Sequence, residues 1–380
     1  MTPATWVWSI TALLFGLTIG SFLNVVIWRL PRNGSLIRPE HSYCPHCERR
    51  LTAIDLVPLF SFLLLGRRCR ACKQPISWRY FCVELLTGLL FFALAVRFHD
   101  NVADAASLML FTALLVPMTF IDLEFFAIPE QLNLLAFAVA IGRDVWGIAR
   151  HEPDHAPLFG WLPRSIVGAA VGIAIFGAVR VAGWIWMRKE AMGLGDVLLA
   201  RAMGAMLVQL VPVSLPMLRL FPTWVLFSCI SGMIVGIPLV MMRRAPEAAP
   251  EEERPPSKPD KRGKTAAKIE IGEPPPEEPQ ETLASQLWAI VYVVVLFDLV
   301  EYVVTRLPEP LGERIWERLP RGLRGDDVAS EPSSIAEEEY TPDPHGIPFG
   351  PFLAVGFLAT LFAGEALTAW YIAVAFPRHM

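Results

Sequence analysis

The chain has 380 residues, 54% of them hydrophobic and only 18% charged, with 33 prolines and a formal net charge of −4. Soluble domains average about 25% charged residues, so the composition argues against a cytosolic globular protein, and nothing in the charge balance points to a nucleic-acid partner. Apolar runs near the roughly 20 residues needed to cross a bilayer recur along most of the chain, which predicts an all-α polytopic membrane protein.

The runs are 5–28, 80–97, 105–121, 128–147, 165–187, 197–213, 222–242, 285–304 and 349–376. The first has no basic stretch before it and no small-residue cleavage site after it, so it reads as a retained span. The segment 29–79 carries ten Lys and Arg against three acids, Glu40, Glu48 and Asp55. The positive-inside rule puts that loop in the cytoplasm. Alternation then places 122–127, 188–196 and 243–284 inside, and 98–104, 148–164 and 214–221 outside.

The stretch 245–280 holds nine prolines among mixed Glu and Lys. It cannot bury enough apolar surface to offset the entropy of ordering and predicts a disordered tether. The stretch 306–347 carries five arginines and so also reads as cytoplasmic; with both flanks of 285–304 inside, Asp298 and Glu301 favour an interfacial or re-entrant helix there, and a ninth crossing is the alternative. The resulting division is a first helix (1–28), a cytoplasmic zinc-binding loop (29–79), a membrane core (80–242), an insertion (243–346) and a last helix (347–380), with about eight spans in all.

Four of the six cysteines form Cys44-Pro-His-Cys47 and, after 21 residues, Cys69-Arg-Ala-Cys72. Two such pairs close a tetrahedron around Zn²⁺, and a complete Cys₄ shell leaves no position for substrate, so the site should fold the loop rather than catalyse. A rubredoxin-like iron site is the alternative, and disulfides conflict with a reducing cytoplasm. Cys82 and Cys229 sit in apolar runs and read as small buried residues.

Two acids stand at span boundaries, Asp122 in Phe120-Ile-Asp-Leu-Glu124 and Asp196 in Met192-Gly-Leu-Gly-Asp-Val197. Ionisable groups at membrane depth are costly and usually functional. On the alternation above both lie at the cytoplasmic boundary, where a packed bundle can bring them together. Close carboxylates share a proton, so one can take a proton from water while the other donates to a peptide carbonyl. Gly193 and Gly195 would let an extended substrate backbone approach without a Cβ in the way. Ordinary helix-end acids facing headgroups are the bland alternative.

The order of parts resembles the bacterial prepilin peptidases, the type IV prepilin leader peptidases of the aspartic Gly-x-Gly-Asp membrane class. The resemblance rests on Gly20-Ser-Phe-Leu-Asn-Val-Val-Ile-Trp-Arg-Leu-Pro31, the paired Cys-x-x-Cys loop, Ile76-Ser-Trp-Arg-Tyr80 and Val83-Glu-Leu-Leu-Thr-Gly88. Ile121-Asp-Leu123, Ala191-Met-Gly-Leu-Gly-Asp196 and Ile347-Pro-Phe-Gly-Pro-Phe-Leu353 complete it. It implies an enzyme of the bacterial cytoplasmic (inner) membrane that removes the leader of prepilins or pseudopilins at the cytoplasmic face. Many members then N-methylate the new N-terminus with S-adenosylmethionine, and the cysteine loop goes with that methyltransferase form.

On this resemblance Asp122 and Asp196 are the catalytic pair, Cys44, Cys47, Cys69 and Cys72 the metal ligands, and Glu84, Glu130, Gly193 and Gly195 candidates for substrate binding. The family usually has Asp where Glu130 stands and Lys where Leu198 stands, and the insertion is atypical of it. Arg180, inside a span, reads as snorkelling toward Arg188, and Arg201 either orients an acid or anchors its helix. Two other classes compete: a transporter relaying protons through Asp122 and Asp196, and a membrane scaffold using only the cysteine loop. Transporter sites usually lie at the midplane within repeats, and no repeat is evident; the scaffold leaves the aspartates unexplained.

Overall fold

The protein is described from a computed structural model covering residues 2–32, 34–36, 41–158, 161–187, 192–210, 220–236 and 348–375. The tether at 245–280 and the interfacial helix at 285–304 fall outside these residues. The described helices are α1 (Pro3–Arg29), α2 (Phe60–Leu64), α3 (Trp78–Arg97), α4 (Val102–Phe125), α5 (Glu130–Ala149), α6 (Arg164–Met187), α7 (Leu194–Leu207), α8 (Leu220–Ser231) and α9 (Gly350–Ala375). Among the described residues β-pairing is limited to isolated bridges. Five helices, α1 and α3 to α6, are long and apolar enough to cross a membrane, and α8 and the start of α9 are shorter apolar helices. The chain is therefore an integral membrane protein by its helices.

Lipid offers no hydrophobic drive for helix pairing, so close approach depends on small residues. Glycines serve that purpose here. A Cβ on Gly20 of α1 would lie 2.8 Å from the Glu84 Cα of α3, so the two backbones touch at that level. Gly168 and Gly172 of α6, four residues apart, lie directly against the carbonyls of Gly204 and Ala200 in α7. On α8, Trp224 Nε1 donates to Leu353 O of α9 at 3.2 Å, and Ser228 fills the space above Gly356.

Leu14, Phe15 and Leu110 are more than half exposed and face away from the rest of the bundle. Cys82 and Cys229 are also exposed, contrary to their reading as buried residues. Hydropathy identifies a span but not which of its faces meets the bilayer.

The start of α4 and the end of α5 are tied by charge. Asp104 at the start of α4 accepts from Arg143 Nε of α5 at 2.8 Å, and Arg143 Nη2 donates to Glu152 Oε2 at 2.6 Å. His155, 1% exposed, sits 3.3 Å from Asp144 Oδ1 through Nδ1, while Ser165 N at the start of α6 donates to Asp144 Oδ2 at 2.8 Å. Burial pushes the His155 proton affinity down, but hydrogen bonds to Asp104 and Asp144 outweigh it and leave it above the ordinary value. A raised folded value means its contribution is complete below about 6.5 and is lost as pH climbs through the folded value. The Tm of the purified protein should therefore fall as pH rises past about 6.5, and His155→Gln should flatten that dependence. A Tm profile unchanged by the substitution would remove His155 from the account.

Candidate active site

α4 runs past the boundary that hydropathy places at 121 and ends at Phe125, so Asp122 occupies its last turn and is 5% exposed. Phe126 takes a left-handed φ of 53° and its N–H closes on Asp122 O at 2.9 Å. That reversal leads through Ile128 and Pro129 into α5. Asp196, 8% exposed, lies in the first turn of α7 with Gly193 at the N-cap.

The turn before Asp196 is held from the neighbouring helix. Arg180 of α6, inside the bundle, donates through Nη1 to Met192 O at 2.6 Å. The expectation that it snorkels toward Arg188 is thus corrected: the guanidinium stays buried, bonded to the carbonyl of the residue just ahead of the α7 N-cap.

α9 completes the site. Its first residue, Gly350, donates its N–H to Asp122 Oδ2 at 3.0 Å across 228 residues of sequence. A Cβ there would lie 2.7 Å from that oxygen and 3.3 Å from Ile128 Cδ1, while a Cβ on Gly195 would lie 3.4 Å from Ile128 Cβ. Ile128 therefore packs between the starts of α7 and α9. The two carboxylates are near enough that the charge of Asp122 acts on Asp196, and Asp196 Oδ1 is buried without a hydrogen-bond partner. Two buried acids, a carboxylate oxygen without a hydrogen-bond partner and a backbone donor are thus gathered around Ile128.

Gly193 belongs to this cluster, since its Cβ would lie 3.3 Å from Asp196 Oδ2. Gly195 does too, with Ile128 Cβ 3.4 Å from where its Cβ would stand. Glu130 begins α5, half-buried, just beyond the reversal. Glu84 lies elsewhere: its Oε2 accepts from Leu59 N at 2.8 Å, beneath the cysteine loop. Arg201 rests 4.4 Å over the Phe137 ring, which anchors α7 to α5. Sequence reasoning gave no role to Gly350, although the quoted Ile347–Leu353 motif contains it, or to Ile128, and it misread Arg180.

The cysteine loop repeats one turn twice. Cys44 N donates to Arg49 O and Glu48 N to Cys44 O, and likewise Cys69 N to Gln74 O and Lys73 N to Cys69 O, with Glu48 and Lys73 both at positive φ. All four sulfurs lie within 4.8 Å of one another, with Cys44 Sγ and Cys72 Sγ 3.9 Å apart. A tetrahedron with Zn–S bonds of about 2.3 Å has S···S edges of about 3.8 Å, so the spacing fits a metal; a disulfide would need about 2.05 Å. The backbone N–H of Cys72 draws the Cys69 thiol down to about 6. At Cys72 the Gln74 N–H pulls the same way, but burial and the neighbouring sulfurs carry that thiol up to about 11. A dication displaces the proton that such a crowded set retains.

Between the loop, α1 and α3 lies a cavity of about 510 Å³. At its edge Arg79 Nη1 meets both carboxylate oxygens of Glu124 at 2.6 Å. Glu124 is two residues beyond Asp122, so this pair joins the loop region to the end of α4.

Residues 14–98 match the family model described as Bacterial Peptidase A24 N-terminal domain, and residues 109–237 the one described as Type IV leader peptidase family. A Prepilin leader peptidase/N-methyltransferase of Myxococcus xanthus (strain DK1622) is 32% identical over 372 residues, covering 93% of this chain and 90% of the relative. That alignment spans the 243–346 insertion. A protein of the same name from Aeromonas hydrophila is 34% identical, covering 64% of this chain and 86% of the relative. The Type 4 prepilin-like proteins leader peptide-processing enzyme of Escherichia coli O78:H11 (strain H10407 / ETEC) is 35% identical, covering 54% and 78%. No solved structure matches the chain. The first family model covers the cysteine loop with its flanking helices, the second covers both buried aspartates, and the chain accordingly belongs to the type IV leader peptidase family.

Proposed function

We propose that the protein is a membrane aspartic endopeptidase that removes the leader of type IV prepilins or pseudopilins at the cytoplasmic face of the bacterial inner membrane, and that it also N-methylates the new N-terminus. The observation that carries the peptidase reading is the meeting of Asp122 and Asp196, from two separate helices, in a site closed by Gly350.

In this reading Asp122 and Asp196 are the catalytic pair and share one proton. The ionised member takes a proton from water as its oxygen bonds to the scissile carbonyl carbon. The protonated member gives its proton to the carbonyl oxygen. When the C–N bond breaks, the leaving amine takes back a proton from the pair. Asp196 Oδ1, without a partner of its own, is free to take part in these transfers, while Gly350 N–H fixes the orientation of Asp122. Co-expression with a prepilin tests the assignment: a leader-length shift on a gel supports it, and an uncut prepilin beside correctly inserted protein contradicts it.

The four cysteines would hold a structural Zn²⁺, which orders the loop because metal-binding energy is folding energy in so small a module. Asp122 and Asp196 belong to bilayer-anchored helices outside it. Cys72→Ser should therefore abolish methylation while lowering cleavage much less. The readout is the mass of the processed substrate: cleaved but unmethylated product is expected, and equal loss of both activities would mean the loop holds the peptidase together.

A further inference from the structure

We propose that the cavity between the cysteine loop, α1 and α3 is the methyl-donor site, with Glu84 and Asn24 as its principal recognition groups. This rests on the methyltransferase reading above and gives it a location. The cavity, about 510 Å³, falls within the range of roughly 300–1,000 Å³ typical of small-molecule sites. It lies wholly inside residues 21–84, in the part of the chain that the proteolytic pair does not use.

Two buried polar groups on its wall are unexplained by packing alone. Asn24 is 2% exposed; its Nδ2 donates to Gly20 O at 3.3 Å and Tyr80 O at 3.1 Å, but its Oδ1 is buried with no partner. A buried acceptor without a donor is costly to keep, and a ligand N–H or O–H would satisfy it. Glu84, 8% exposed, is a buried carboxylate on the same wall and also accepts a hydrogen bond from the Ser21 side chain. Leu59 N–H holds its Oε2, and the close approach of Gly20 to Glu84 Cα fixes the backbone that carries it.

The remaining chemistry fits an adenosyl amino acid bearing a sulfonium. Glu84 is placed to accept the ammonium of the methionine part and Asn24 Oδ1 a second N–H or a hydroxyl; the Tyr43 and Trp28 rings on the wall, each covered on one face by an arginine (Arg29 at 5.8 Å, Arg32 at 3.9 Å), would take a base on the other face. Arg49, also on the wall, is the cation for the ligand's carboxylate. Asp55 nearby is already engaged by Thr52 and Arg70 and is not available. When bound, S-adenosylmethionine supplies a methyl carbon: its C–S bond breaks with the electron pair going to sulfur, a bond forms to the product amine, and that nitrogen's proton leaves to solvent. Arg79 on the rim, paired with Glu124 of α4, puts the cavity mouth next to the helix end that carries Asp122. A freshly cut N-terminus could pass from one site to the other without leaving the protein.

The test uses the full-length protein in lipid nanodiscs, with S-adenosylhomocysteine as the probe and calorimetry as the readout. Wild type should bind, Glu84→Gln and Asn24→Ala should each weaken binding about tenfold or more, and the probe should protect backbone amides in 21–29 and 76–84 from hydrogen exchange. Should Glu84→Gln lose its metal or its fold, Trp28→Ala, on α1 and outside the cysteine turns, gives the same comparison. Unchanged binding in these variants, or protection appearing only outside the cavity, overturns the proposal. So does a wild-type preparation that cleaves a prepilin yet binds no probe, a result that leaves the peptidase reading intact.

Discussion

Asp122→Asn and Asp196→Asn should each reduce leader cleavage by about a thousandfold or more, with zinc content and membrane insertion unchanged. Asparagine keeps the shape and the acceptor oxygen of the carboxylate but cannot exchange a proton. Either substitution therefore removes the shared proton on which both halves of the reaction depend. Effects of groups that act as a unit do not add, so the double variant should be hardly worse than either single one. Each acid is buried, at 5% and 8% exposure, and the neutral amide relieves a burial cost, so loss of folding is not the expected cause. Near-normal cleavage by either variant would remove that residue from the catalytic pair.

Gly350→Ala should lower cleavage about a hundredfold, although residue 350 carries no reactive group and lies far from both aspartates in sequence. Its Cβ would stand 2.7 Å from Asp122 Oδ2, closer than real Cβ contacts come, with Ile128 Cδ1 at 3.3 Å on the other side. Either the Asp122 carboxylate rotates away or the head of α9 withdraws, and both break the 3.0 Å hydrogen bond from Gly350 N. A displacement of about 1 Å in a catalytic site can cost that much rate. Gly356→Ala is the contrasting variant, because it crowds Ser228 on α8 and should act on helix packing and Tm instead. Equal cleavage by wild type and Gly350→Ala would show that α9 does not position Asp122.

Much of this was readable from the residues. The Cys-x-x-Cys pairs announced a closed S₄ shell because four thiolates within a short polar loop can meet without help from the rest of the fold. The two aspartates were conspicuous because charge at membrane depth needs a reason. What the sequence withheld was contact at long range. Hydropathy windows count apolar residues, so they ended a span at 121, whereas α4 keeps its hydrogen bonds through the Asp122 turn to Phe125. They also drew 197–213 as a simple crossing, whereas α7 begins at Leu194, so Asp196 starts inside a helix rather than ahead of it. Arg180 looked like an ordinary snorkelling cation until the carbonyl of Met192 proved to be within its reach. Glu84 could be named as important but not located, because only the folded loop shows that it belongs to the cavity and not to the aspartate pair.

The intact mass of a prepilin co-expressed with the protein decides whether the assignment of both activities is right. The wild-type protein should yield a pilin lacking its leader and carrying one added methyl group, and Asp122→Asn run in parallel should leave the precursor whole and unmethylated. A precursor of unchanged mass in the presence of inserted wild-type protein, or a trimmed pilin in the presence of Asp122→Asn, would contradict the account.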